Sequence, residues 1–124
     1  MGLALETLQK WFSTIDANLL AEDIVWTVSP GYPVSQSQYS SRQEVFEHFL
    51  SELTAHFSQW AAKPEQLIEA GNQVIVKGRY VGQVKHSNLP IEVEFIHIWT
   101  VQDGIITEVV SVADTAQFVR HLGY

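Results

Sequence analysis

Apolar residues recur at two spacings along this chain, and the change of spacing divides it. Leu5, Leu8, Phe12, Ile15 and Leu19 follow a helical period, which predicts a helix over about 3–21 with a candidate break near Asp16. Asp23-Ile24-Val25-Trp26-Thr27-Val28 is β-branched and aromatic and predicts a short strand, ending at the turn-rich Ser29-Pro30-Gly31-Tyr32-Pro33. Ser41 followed by Glu44 fits a capping box. Behind it, Phe46, Phe49, Leu50, Leu53 and Phe57 share one helical face, while His48, Glu52 and His56 share another. From Leu67 the period drops to two. Leu67–Ala70 leads into a Gly71-Asn72 turn, and strands follow over 73–86 and 91–101. Asp103-Gly104 is a strong hairpin signal, from which 105–113 returns antiparallel. A last helix starts near Asp114 or Thr115 and stops at Gly123.

Helices followed by a run of antiparallel strands imply the α+β class: a cone-shaped, curved antiparallel sheet wrapped by N-terminal helices. Gly78 and Gly82 inside one long strand favour a strong bend, because missing side chains let the backbone coil. The concave wall of such a sheet is expected to be apolar. No repeat or linker interrupts the pattern, so residues 1–124 are expected to form one domain.

Composition sharpens this picture in two places. Hydrophobic residues make up 46% and charged residues 17%, with four Trp, four Tyr and six Phe. That much apolar surface calls for a pocket or a second subunit to hide it. Fourteen acids against seven bases give a net charge of −7, which argues against a nucleic-acid surface and an anionic membrane. Cysteine is absent, so thiolate chemistry and disulfides are excluded. The first residues lack a signal-peptide core and no apolar run approaches bilayer length; the expected location is cytoplasmic.

One residue breaks the pattern. In the 91–101 strand the odd positions Ile91, Val93, Phe95, Trp99 and Val101 are apolar, and His97 lies among them. Alternation puts its imidazole on the buried face. It is either a core histidine bonded to a neighbour or the polar group of a cavity, able to exchange a proton near neutral pH. Asp114 also reads two ways. It fits an Asp-x-x-Gln cap of the last helix, and it is the carboxylate available to act as a base or to orient His97. Tyr80 shares a strand face with Val76, Gly78 and Gly82, which leave room beside its ring. Trp11 and Trp26 are cavity walls or ordinary core, and Lys77 and Arg79 project from the opposite face.

Other chemistries find no support. Histidines 48, 56, 86, 97 and 121 lack the close pairing that zinc sites use, and the His48, Glu52, His56 row reads as a solvated face. No phosphate-cradling glycine loop or nucleophile elbow occurs, so neither metal nor cofactor is expected.

Taken together, "DIVWTVSPG", "VIVKGRYVG", "FIHIWTVQDGIITEV" and "ADTAQFVRHLG" resemble the SnoaL-like group. That group belongs to the nuclear-transport-factor-2-like superfamily and includes ketosteroid isomerase-related proteins. The resemblance spans nearly the whole chain. It implies a cone-shaped α+β barrel, a homodimer formed through the outer sheet face, and a deep pocket for a small hydrophobic molecule. The isomerase residues do not carry over: their Asp base, Tyr and protonated Asp fall at Ser29, near Trp11 and at His97. SnoaL-type cyclases pair a histidine with an acid on the last strand. His97 matches the histidine; gapless alignment puts Ser111 at the acid's place, and Asp114 is the nearest carboxylate, on the opposite face unless a bulge or the start of the last helix turns it. Of the Asp-Arg-Asp set of epoxide hydrolases, Arg79 and Asp114 supply a part.

The resulting expectation is a pocket lined by Trp11, Trp26, Tyr80, Trp99 and Ser111, with His97 and Asp114 as candidate catalytic residues. The chemistry implied is cofactor-free isomerisation or cyclisation of a carbonyl compound. The alternative is a non-catalytic ligand-binding or dimerisation module.

Overall fold

Glu69 decides where the first helix begins. In the computed structural model, which describes residues 2–123, its carboxylate accepts the Gly2 and Leu5 backbone N–H groups, each at 3.1 Å. Such donors have no partner inside a helix, and a carboxylate there also complements the helix dipole. The helix runs Leu3–Thr14. It stops short of its apolar period because Ile15 turns left-handed, at φ 50° and ψ 43°, with its N–H bonded to Trp11 O at 2.8 Å. That conformation costs a residue with a Cβ about 1–2 kcal/mol. Asp16 then accepts from Asn18 N at 2.9 Å, capping a 3₁₀ turn over Ala17–Leu19.

Six strands follow: β1 (Leu20–Val28), β2 (Gln38–Tyr39), β3 (Phe57–Ala70), β4 (Gln73–Val84), β5 (Pro90–Gln102) and β6 (Ile105–Ala113). They form one curved, unclosed sheet in the order β2-β1-β6-β5-β4-β3. All neighbours are antiparallel except β1 and β6, which run parallel with Trp26 opposite Val109 and Val28 opposite Ser111. Asp103 and Gly104 both have positive φ, 51° and 78°, as the tightest hairpin turn requires. β3 begins at Phe57 rather than near Leu67. It is an edge strand, which is why Pro64 is tolerated in it. Its register slips twice, between Phe57 and Gln59 and between Pro64 and Gln66.

Between β2 and β3 lies a helical segment over residues 42–54. Ser41 Oγ accepts from Glu44 N at 3.0 Å, but the returning Glu44 carboxylate takes Ser40 N, one residue before the reciprocal bond of a capping box. The turn then widens into a π-helix over Val45–Leu50 before Ser51–Thr54 closes it. The last helix, Ala116–Leu122, inserts Phe118 into the core.

The alternation on β5 survives folding intact. Ile91, Val93, Phe95, His97, Trp99 and Val101 are buried; Glu92, Glu94, Ile96 and Ile98 are exposed. The buried face meets the helices and carries the site. Among the described residues, no helix is long and apolar enough to cross a membrane.

Candidate functional site

The helices do not fill the space above the sheet. A cavity of about 480 Å³ remains, bounded by the N-terminal helix, the 42–54 segment and β1, β3, β4 and β5. Its walls are aromatic. Trp11, Trp26 and Trp99 meet there, with Trp26 and Trp99 edge to face at 5.2 Å and Trp11 6.0 Å from Trp99. Trp60 of β3 stacks on Tyr80 of β4 at 4.9 Å and closes another side. The π-helical turn directs Phe46, Phe49 and Leu50 to the same volume. Ile15, Thr54 and Ala61 are its exposed members and mark the mouth. Among the described residues lining it, none is charged.

His97 is the polar exception on this wall, 3% exposed. Phe95 covers one ring face at 3.9 Å, nearly parallel. At the ring edge Tyr80 Oη meets Nε2 at 2.7 Å, while Nδ1 is buried without a hydrogen-bond partner. Trp26 Nε1 and Trp99 Nε1 are buried and unpartnered too. Unsatisfied polar atoms of this kind are rare in folded interiors. Burial lowers the imidazole pKa from 6.5 to about 3, so the ring is neutral near pH 7. Against the expectation of a group that exchanges a proton near neutral pH, desolvation disfavours the imidazolium.

Behind Tyr80 lies a cluster of hydroxyls. Tyr80 Oη is 2.9 Å from Tyr32 Oη and 3.2 Å from Ser111 Oγ, and Tyr32 and Ser111 make a short contact with each other. Burial raises the pKa of both phenols, that of Tyr80 well above 10.0. Ser111 is the register partner of His97 on β6, 1% exposed. It supports Tyr80 from behind and does not line the cavity.

Asp114 is not brought to His97. It lies on the surface at the end of β6, where its backbone N–H bonds Glu94 O at 2.9 Å and its carboxylate accepts from Gln117 Nε2 at 3.4 Å. No bulge turns it inward, because β5 and β6 stay in register from Thr100 opposite Glu108 to Phe95 opposite Ala113. Arg79 also stays outside, paired with Glu65, Glu92 and Glu94 across three neighbouring strands. The hydrogen bond to Glu92 leads the causes that raise its pKa. Among the described residues no cluster of His, Cys, Asp or Glu side chains could hold a metal ion.

A sequence profile of the SnoaL-like domain matches residues 12–109, most of the chain. The chain belongs to the SnoaL-like domain family. No curated protein matches the sequence. Among solved structures, this SnoaL-like chain is similar to an NTF2-like protein of Burkholderia thailandensis E264, at TM-score 0.86 and 23% identity over 98% of each chain. It is also similar to TerC co-crystallized with polyporic acid, at TM-score 0.85 and 20% identity, over 99% of this chain and 100% of the other. A candidate SnoaL-like polyketide cyclase from Jannaschia sp. CCS1 follows at TM-score 0.79 and 15% identity, over 94% and 89%. At these identities the likeness shows the fold.

Of the residues singled out in the sequence, the SnoaL-like cavity brings together Trp11, Trp26, Tyr80, His97 and Trp99. Trp60 and Tyr32 escape sequence reasoning. Trp60 sits in "FSQWAAKPEQ", whose alternation is masked by polar residues and Pro64, and Tyr32 sits between turn formers. Glu52 and His56 are more than a solvated face. Glu52 accepts from Ser35 N and Oγ at 2.9 and 3.0 Å, and His56 Nε2 donates to Pro33 O at 3.1 Å. Together they tether the loop that carries Tyr32.

Proposed function

We propose that this SnoaL-like protein binds a small hydrophobic molecule in the cavity between its helices and its sheet. The observation that carries the reading is an uncharged, aromatic-walled space of about 480 Å³ with three buried polar atoms on its lining residues left unpartnered. Small-molecule pockets typically enclose about 300–1,000 Å³, mostly apolar with a few placed polar groups. A related fold that crystallises with polyporic acid supports the same use of the architecture.

All four tryptophans of the chain, Trp11, Trp26, Trp60 and Trp99, line this cavity, so intrinsic fluorescence reports its occupancy. Titration with polyporic acid and a panel of polycyclic phenols is expected to quench it saturably. Ala62→Phe, which fills the cavity from β3, is expected to abolish the effect. No saturable change across the panel, or binding unaltered by Ala62→Phe, would remove the reading.

Turnover is a second reading, favoured by the hydrogen-bonded His97–Tyr80 pair at the cavity wall. It is cofactor-free proton transfer on a carbonyl compound, with His97 as the acceptor or donor. The uncharged lining favours binding over catalysis. We also propose that two copies associate through the outer sheet face, where Ile68, Ile96, Ile98 and Val112 are exposed.

A further inference from the structure

Four contacts join His97, Tyr80, Tyr32 and Ser111: Tyr80 to His97 Nε2, Tyr80 to Tyr32, Tyr80 to Ser111, and Tyr32 to Ser111. Each hydrogen bond uses one proton. The three hydroxyls carry one apiece, and burial holds both phenols in their neutral form. Three of the contacts lie among the hydroxyls themselves, so a closed triangle consumes all three protons. The contact to the imidazole then needs a proton from the ring. A neutral imidazole has one. Only with that proton on Nε2 are all four contacts made; on Nδ1, it would leave four buried contacts sharing three protons.

We infer that the Tyr32–Tyr80–Ser111 triangle holds His97 as the Nε2–H tautomer, which makes Nδ1 a hydrogen-bond acceptor for a hydroxyl or N–H group on the cavity's ligand. This deepens, and rests on, the ligand-binding reading above. Nδ1 is buried and unpartnered on a ring that lines the cavity. An acceptor in that position is satisfied by a donor, whereas an ether or hydrocarbon of the same shape leaves it empty. The indole N–H groups of Trp26 and Trp99, also unpartnered, suit an acceptor on the same molecule. The ligand is thus an apolar body carrying a hydroxyl or amine hydrogen and an oxygen acceptor. Tyr32 and Ser111 are positioning residues here, acting on His97 through Tyr80.

Two measurements test the parts separately. Nitrogen NMR of the whole chain near neutral pH is expected to show His97 Nδ1 unprotonated and Nε2 protonated. Tyr32→Phe leaves Tyr80 bonded to His97 and Ser111, two contacts with three protons, so Tyr80 becomes free to donate and a population of the Nδ1–H tautomer emerges. Ser111→Ala relaxes the count in the same way and serves if the first variant does not fold. A wild-type ring protonated on Nδ1, or folded variants with unmoved nitrogen shifts, overturns the tautomer assignment. Tryptophan fluorescence then compares β-naphthol with its methyl ether. The naphthol is expected to bind about three- to tenfold more tightly, the worth of one net hydrogen bond, and His97→Phe is expected to erase the difference. Equal affinity for both compounds overturns the acceptor role but leaves the ligand reading standing. Binding by neither overturns the ligand half, while the NMR result still decides the tautomer.

Discussion

The His97 ring, stacked on Phe95 at 3.9 Å and reached by water at only 3% of its surface, is held neutral far below the range in which histidine ordinarily titrates. The consequence for stability has a definite sign. Unfolded, the imidazole takes up a proton as pH falls below 6.5; folded, it does so only near 3. Between those values the unfolded chain binds more protons, so stability is complete above 6.5 and declines as pH drops toward 3. Each pKa unit is worth about 1.4 kcal/mol, which bounds the loss at roughly 5 kcal/mol. The phenol bonded to His97, that of Tyr80, and the phenol of Tyr32 behind it are neutral throughout this window and add no slope of their own. Urea unfolding of the wild type from neutral to acid pH is expected to show this decline over and above that of His97→Gln. Parallel pH profiles would show that the ring is not desolvated as described. The position of His97 is legible from the sequence, since an unbroken alternation on β5 forces it inward. That of Tyr32, which bonds Tyr80 behind it, is not, because a loop rich in Pro, Gly and Ser has no period from which to read a side chain's direction.

At the level of elements, the cavity depends on how closely β3 approaches β4. A Cβ on Gly78 would lie 2.4 Å from Lys63 O and 2.8 Å from Phe95 Cζ, inside both backbone and ring. Gly78 therefore sets the seat of the Phe95 ring that covers His97. Gly78→Ala is expected to destabilise the fold by about 1–3 kcal/mol, the usual effect of overpacking, measured as a lower urea midpoint. It is also expected to shift the His97 ring resonances, because Phe95 must move. An alanine variant as stable as the wild type would mean that β3 yields without strain. The same strand shows where reading by pattern fails. β4, β5 and β6 are sandwiched between neighbours, and their alternation predicts them; β3 has one free edge, a proline and two register slips, so only its end near Leu67 keeps a clean signal. The first helix ends beside the break expected near Asp16, although its pattern runs on. Its apolar period continues through Ile15 to Leu19, and the left-handed turn at Ile15 fixes the residue at which it stops.

For the whole molecule, the two faces of the sheet divide the work. Odd positions of β5 are buried, with His97 and Trp99 lining the cavity, and even positions present Ile96 and Ile98, 49% and 39% exposed, to the outside. In register, Ile68, Ile75, Ile98 and Val110 make one row across β3, β4, β5 and β6, while Ile96 lies opposite Val112 in the next. Contiguous exposed apolar surface of this kind marks an interaction site. A twofold partner would bury the same rows against each other. The proposed dimer therefore predicts a mass of twice the chain in sedimentation at micromolar concentration. Ile98→Glu would bring two carboxylates into the centre of that contact, and desolvating them is expected to weaken association at least about tenfold. Because residue 98 points away from the cavity, the same variant is expected to keep wild-type quenching by the phenol panel. A wild type that sediments as a single chain, or Ile98→Glu that leaves the mass unchanged, removes the interface. A monomeric variant that also loses quenching would instead tie the cavity to assembly, against the separation of tasks that the alternation of β5 builds into the sheet.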